Sequence, residues 1–595
     1  MVLTNEILHK VNRPARYTGG EWNSIVKAWD KTPIKIALAY PDTYEIGMSN
    51  MAVPILYDII NARPDALAER VYAPWTDMEA VMRENKIPLF SLESKRPLKD
   101  FDIIGFSLGY ELGYTNVLNM LDLSGIPVLA AERDDSYPLI IAGGSCMLNP
   151  EPMTDFIDAF VIGDGEEVIN ELLDAYRGEI GRGKKALLRK LAAIPGVYVP
   201  SLYDVKYDAN GLIKSISPDV KIKRRIIGKL PPPVTRPVVP YIEVVHDRAA
   251  IEVQRGCSRG CRFCQAGMLY RPVRERPHEE VVKAAGELIS NCGYDEVSLV
   301  SLNTSDYAGI ETLVGHLAEK YPGLTLSLPS LRLDKSSIKL VESLPARSRT
   351  GLTFAPEAGS ERLRCAINKA LTEATLLETA ATAFVRGWTN LKLYFMVGLP
   401  TETPVDVAAI VTLVDKVRAE GKRASGRKPT IRVSAGTFVP KPHTPFQWAA
   451  QEREGSLRAK QEILQRGLDR KGTRLSWQDP HTSLLEAALS RGDRRIGKVI
   501  YNAWRLGCRF DAWSEHFDFK KWQAAFNEAG LDPSFYAHRE RSLDEVLPWS
   551  HINAGVSADF LKKELERARS GLETPDCRRN ACNECGLEGT CEENK

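Results

Sequence analysis

The sequence predicts an α/β protein made of two consecutive sheet domains, the first doubly wound and the second a partial or full (β/α) barrel, followed by a helical region and a Cys-rich tail. Three observations carry that expectation. Short apolar runs alternate with amphipathic stretches in two separate blocks, and a Pro-rich break divides the blocks. Beyond residue 450 the short runs give way to long charged amphipathic segments. Strands that alternate with helical patterns are most readily joined as parallel βαβ units, which is why the alternation predicts sheets covered by helices.

Residues 1–30 read as an extension. The first domain, 31–205, opens on IKIALAY (34–40), the turn PDTYEIGMSN and the helical pattern MAVPILYDIINA. The apolar runs FDIIGFSLG, PLIIAGG and DAFVIGDGEE then recur between amphipathic stretches such as MEAVMRENK and TNVLNMLDLSG. Such a sheet takes ligands at the carboxyl ends of its strands. A linker, 206–248, holds a hairpin turning at Asn210-Gly211 and the segment KLPPPVTRPVVPY. The second domain, 249–450, carries AAIEVQR, DEVSLVSL, LTLSLPSLRL, KLVESLP, RTGLTFAPE, NLKLYFMVGLP and IRVSAGTFVP, interleaved with helical patterns. A helical region (451–570) and a Cys-rich, metal-binding tail (571–595) complete the division.

Composition narrows the function. With 79 Lys and Arg against 77 Asp and Glu, the chain has no global field to attract a nucleic acid or an acidic partner. The basic stretches KIKRRIIGK (221–229) and GKRASGRK (421–428) read first as solvated faces and second as phosphate contacts. No apolar run reaches the roughly 18 residues of a membrane span, so a cytoplasmic protein without a membrane partner is expected. Of 11 Cys, seven fall in two tight groups, which in that compartment points to metal rather than disulfides. The scattered Cys146, Cys292, Cys365 and Cys508 read as small buried side chains.

The first group, Cys257-x3-Cys261-x2-Cys264, occupies a loop directly after a strand. Three thiolates on one short loop hold three irons of a 4Fe-4S cubane and leave the fourth iron open to a ligand. Structural zinc would need a fourth donor from far along the chain. The second group, Cys577-x4-Cys582-x2-Cys585-x5-Cys591, offers four thiols in a polar tail that needs a staple to fold. Zinc and an auxiliary iron-sulfur cluster both suit it, and the spacing does not choose.

The Cys257 loop, with aromatic Phe263 before its last Cys, resembles the signature of the radical S-adenosylmethionine (radical SAM) superfamily. That resemblance implies S-adenosylmethionine as cofactor and its cleavage to a 5′-deoxyadenosyl radical. It also implies cofactor contacts from Phe263, from Ser301 to Asn303, from Glu357 in FAPEAGSERLR, and from Gly398, Pro400 and Glu402 in LYFMVGLPTET. At VSLN many relatives carry Gly-Gly-Glu, a departure at the amino-group contact. FVPKPHTPFQW (438–448) resembles the barrel end of enzymes that modify macromolecules.

The first domain resembles the Rossmann-like, cobalamin-binding domains that precede many such barrels. The similarity runs through Gly143-Gly144, Asn149-Pro150-Glu151, Asp158 and Gly163-Asp164-Gly165-Glu166, and implies cobalamin contacts from Asp42, Tyr44, Gly47, Ser107, Gly143, Gly144 and Gly163. Where domains that ligate cobalt from below carry D-x-H-x-x-G, Tyr44 replaces the His, so a bound cobalamin would lack a protein nitrogen beneath its metal. The whole chain resembles an uncharacterised radical SAM family of this architecture. The resemblance implies cobalamin-dependent methyl transfer to an unactivated carbon. Its alternatives are a cobalamin-independent radical modification of RNA or protein, and a non-catalytic cobalamin or iron-sulfur sensor. An electron donor such as flavodoxin or ferredoxin is the implied partner.

Overall fold

Five strands and one short partner build the first sheet: β1 (Ile34–Tyr40), β2 (Ala66–Tyr72), β3 (Ile103–Ser107), β4 (Leu139–Gly143), β5 (Ala159–Val161) and β6 (Val197–Tyr198). The computed structural model describes residues 4–330, 340, 352–369, 371–426, 428–469 and 472–592. The strand order is β2-β1-β3-β4-β5-β6, all parallel except β6, which runs antiparallel to β5. Helices cover both faces, so Ile34, Ile36, Ala37 and Ala39 of β1 are all fully buried. The order reverses between β1 and β3, and the loops after these two strands border the switch-point crevice.

Strand β2 escaped the sequence reading because ALAERVY carries two charges in its centre. The structure explains how they are tolerated. Arg70 is 2% exposed and donates to Glu93 Oε1 at 2.7 Å and Glu21 Oε2 at 2.8 Å, so a charge-assisted network replaces the apolar lining.

The second domain shows two parallel sheets among the described residues. Strands β7 (Ala249–Glu252), β8 (Glu296–Val300) and β9 (Thr325–Ser327) form one. Strands β10 (Leu352–Glu357), β11 (Asn390–Val397), β12 (Thr430–Thr437) and β13 (Thr473–Trp477) form the other. One apolar core joins them, drawing Ile251, Leu299 and Leu326 together with Phe354, Leu393 and Val433. The expected segment KLVESLP, apart from Leu340, lies outside the described residues.

The helices beyond 480 are not an appendage. Leu485, Ile496, Val499, Ile500, Trp522 and Phe526 share one core with Val117, Leu121 and Met153 of the first domain. No helix among the described residues is long and apolar enough to cross a membrane. The basic stretch at 221–229 is not an open patch either: Arg224 is buried on the carbonyls of Ala554 (2.8 Å) and Arg271 (2.7 Å), and Arg225 pairs with Glu167 and Glu171.

The two sheet domains are clamped by one buried carboxylate. Asp164, at the end of β5, meets Arg255 at 3.0 Å and Arg274 at 2.7 Å and accepts the Ile227 N–H at 3.0 Å. Arg255 also reaches Glu166 at 2.7 Å and Glu252 at 2.8 Å. Burial opposes ionisation of Asp164, yet the two guanidiniums outweigh it and hold the carboxyl below the usual range. Because the folded value is depressed, this contribution is present above the unfolded pKa of about 3.9 and fades as pH falls through the lower folded value. Asp164→Asn leaves two buried cations short of a counter-charge, and should destabilise the fold by about 3 kcal/mol. A fall in the denaturation midpoint at pH 7, shrinking toward pH 3, is the expected result.

Candidate functional site

The Cys loop leaves the short antiparallel pair formed by Gln254–Arg255 and Arg274–Glu275. Its first turn is possible only for glycine. Gly256 sits at φ +91°, and a Cβ there would lie 2.4 Å from the carbonyl oxygens of both Tyr270 and Pro272. Asn368 then holds the loop from across the site, its Nδ2 donating to Arg259 O at 3.1 Å and Gly260 O at 3.2 Å. The Arg262 N–H donates to Ile367 O at 3.0 Å, and its fully buried guanidinium bonds Glu564 at 3.0 Å and the carbonyls of Ala366 and Leu572. Cys264 caps the helix Gln265–Leu269, its sulfur accepting from Gly267 N at 3.3 Å.

All three thiols are part-buried, and they are close enough to act on one another. Burial and the charge of Cys261 push the Cys264 thiol up to about 12, with Lys369 opposing. The same two causes raise Cys257. Burial thus favours the protonated form at Cys257 and Cys264, and a metal would have to displace those protons to bind. Among the described residues no three His, Cys, Asp or Glu side chains are closed around a common point. What fits a cubane cluster is therefore the donor set, three thiols on one tightly held loop.

The strand ends converge on this loop. After β8, Asn303 and Arg259 both bond Asp306, and Ser301 Oγ lies 3.1 Å from Thr304 Oγ1. Asn303 Oδ1 is buried with no partner, an acceptor aimed at nothing in the protein. At the end of β10, Glu357 takes the left-handed region at φ +67° and pairs with Lys369 at 3.2 Å. Burial raises its carboxyl despite that lysine. Phe263 packs in the apolar cluster with Met268, Ile367 and Phe438. Gly398 and Glu402 make a closed turn instead: Glu402 Oε1 accepts Gly398 N at 2.9 Å and Lys460 at 2.7 Å.

Two family profiles match the chain: "Radical SAM proteins, N-terminal" over residues 52–200 and "Radical SAM superfamily" over residues 251–414. The chain belongs to the radical SAM superfamily. It is a radical SAM enzyme. An uncharacterised protein of Methanocaldococcus jannaschii is 27% identical over 473 residues, 78% of this chain and 90% of that one. A tRNA-2-methylthio-N(6)-dimethylallyladenosine synthase of Wolbachia sp. subsp. Brugia malayi is 25% identical over 186 residues, 29% of this chain and 41% of that one. Among solved structures, the radical S-adenosylmethionine methyltransferase TsrM from Kitasatospora setae matches with a TM-score of 0.47 and 15% identity, covering 84% of this chain and 99% of that one.

In this radical SAM chain the residues expected at cobalamin fall into two sets. Asp42 is taken by Trp513 Nε1 at 3.0 Å, and buried Tyr44 donates to Glu21 at 3.1 Å. A Cβ on Gly47 would meet the Tyr72 ring at 2.2 Å, and one on Gly163 the Arg225 carbonyl at 2.3 Å. Those four positions serve the protein's own packing. Ser107 and Gly143 border the part of the crevice that stays accessible, beside Gly109, where a Cβ would meet nothing within 4 Å; Gly144 is exposed there too, but a Cβ on it would meet the Leu108 carbonyl oxygen at 2.4 Å, so its glycine also serves the backbone packing. This accessible edge fits a bound group without a protein nitrogen from Tyr44.

Sequence reasoning passed over Arg259, Asp306, Asn368 and Lys369, which hold the loop and flank its thiols. It also passed over the half-buried Lys441, 2.9 Å from both Glu111 and Glu486, which ties the crevice to the barrel end and the C-terminal helices. Their signal was weak, since each is a single polar residue in a segment read for its strand or turn. Gly256→Ala should unseat the loop, and the variant, reconstituted anaerobically, should retain markedly less iron than the wild type with its secondary structure by circular dichroism unchanged.

Proposed function

We propose that the enzyme cleaves S-adenosylmethionine reductively at a 4Fe-4S cluster held by Cys257, Cys261 and Cys264, and abstracts hydrogen from a substrate carbon. The observation that carries this reading is the convergence of the three-thiol loop with the ends of β8 and β10. When bound, the cluster supplies an open iron for the cofactor's amino and carboxylate groups and the electron that releases a 5′-deoxyadenosyl radical. The chain's part is to hold and shield. Asn368 and Arg262 fix the loop, and Phe263 with the apolar cluster behind it excludes water. Asn303 Oδ1 is an unpaired acceptor for an ammonium group. Glu357 and Lys369 offer an acceptor and a donor to the polar end of the cofactor.

Methyl transfer with cobalamin held along Ser107, Gly143 and Gly144 is the reaction preferred here. The accessible edge of the first domain supports it, because a doubly wound sheet binds at its carboxyl end. The partial resemblance to a tRNA-methylthiolating enzyme supports a second reading, modification of RNA without cobalamin. A flavodoxin or ferredoxin would serve as electron donor for either.

Under reductant and without oxygen, the loaded enzyme is expected to form 5′-deoxyadenosine, and Cys261→Ala to bring the yield to background. A fully loaded wild type that forms none would reject the reading. Reconstitution with hydroxocobalamin decides between the two reactions: about one cobalt retained per chain favours methyl transfer, and none retained favours the RNA reading.

A further inference from the structure

We propose that the open face of the sheet β10–β13 holds a single-stranded stretch of RNA, its phosphates on a row formed by Lys392, Arg432 and Arg474. The inference rests on the second reading above, in which RNA is the substrate, and deepens it by naming the surface that takes the strand.

Strand register builds the row. Alternation along each strand sends Leu391, Leu393, Phe395, Ile431 and Val433 into the apolar core beneath the helices Glu373–Val385, Pro404–Ser425 and Glu454–Leu468. The other face carries Lys392, Tyr394 and Met396 of β11, Arg432 and Ser434 of β12, and Arg474 of β13. Lys392 lies in register with Arg432, and Arg432 with Arg474, so the three cations stand abreast on neighbouring strands. On the other side of Lys392, β10 sets the neutral Thr353, and no carboxylate enters the row. All three cations are exposed. Among the described residues none of them has an ion pair or a side-chain hydrogen bond. Like charges abreast in a sheet destabilise it, and a bound polyanion removes that repulsion.

The face suits a nucleic acid strand better than a lone phosphate. Neighbouring strands lie about 4.8 Å apart, which makes the row about 10 Å long. That length spans roughly three phosphates at the spacing of about 3.4 Å along one nucleic acid strand. Tyr394, 42% exposed, stands two residues beyond Lys392 on the same face and offers its ring to a base. A duplex keeps its bases stacked away from such a ring, so the occupant is a single strand.

The same face leads to the Cys loop. Two residues beyond Tyr394, Met396 packs against the same apolar cluster as Phe263. From Lys392 to Met396 is about 13 Å along the strand, so RNA anchored on the row brings a neighbouring nucleotide toward the loop. Anchoring charge, stacking ring and sulfur loop thus follow one another along one face.

The test is the fluorescence anisotropy of a labelled single-stranded oligoribonucleotide of about 12 nucleotides, titrated with the full-length protein at several salt concentrations. The wild type should bind, with log K falling as log salt rises. In Lys392→Ala/Arg432→Ala/Arg474→Ala the salt slope should flatten by roughly two, the value for three phosphate contacts on a single strand. Arg432→Lys/Arg474→Lys keeps the charges and should keep the slope, which separates lost charge from a disturbed fold. Tyr394→Ala should weaken binding roughly tenfold and leave the slope unchanged. A slope unaltered in the triple variant would overturn the proposal, as would displacement of the RNA by inorganic triphosphate or polyglutamate as readily as by unlabelled RNA at equal charge. A wild type that forms 5′-deoxyadenosine but binds no RNA would sink this inference and leave cleavage of S-adenosylmethionine standing. RNA bound through the row by a fully loaded protein that forms none would do the reverse.

Discussion

A buried carboxylate flanked by two guanidiniums ties the first domain to the strand pair from which the Cys loop springs. Asp164 caps the helix that follows the last parallel strand of the first domain, and its partners Arg255 and Arg274 are the two halves of the strand pair that opens and closes the Cys loop. The crevice of one domain and the thiols of the other are thus tied together by ion pairs at 2.7 and 3.0 Å. Desolvating three charges is costly, and the cost is met by pairing all of them and by the Ile227 N–H. The C-terminal helices, packed into the same core as the first sheet, close the assembly from the other side.

The loop itself is built on the same logic of obligatory contacts. Gly256 cannot be replaced without moving two carbonyls, Arg262 is wholly buried among acceptors, and Asn368 serves the loop and the tail at once. None of these interactions involves the thiols. The protein therefore shapes the loop with its own atoms and leaves three sulfurs with few partners, which is the arrangement a cluster with an open iron requires.

Much of this was legible in the sequence because it rests on local pattern. Strands β1, β3, β4 and β5 announce themselves as apolar runs, and three cysteines on one loop carry their chemistry in their spacing. Strand β2 did not, because a buried ion network takes the place of apolar side chains at Glu69 and Arg70. The short β6 and the polar β13 give no periodic signal of their own. Long-range pairing defeats local reading in the site as well. Gly163 and Gly47 look like ligand-cradling glycines, yet their missing Cβ atoms make room for Arg225 and Tyr72. Nothing in the spacing shows that Asp576 meets Arg259 or that Asn368 grips the loop, since each joins segments far apart in the chain.

A cluster on Cys257, Cys261 and Cys264 would keep one iron open to S-adenosylmethionine. The most direct measurement is the electron paramagnetic resonance spectrum of the reduced protein, recorded before and after S-adenosylmethionine is added. A changed signal, with hyperfine coupling to label on the methionyl carboxylate or amino group, is the predicted result. An unchanged signal from a fully loaded cluster, with cofactor in excess, would contradict it.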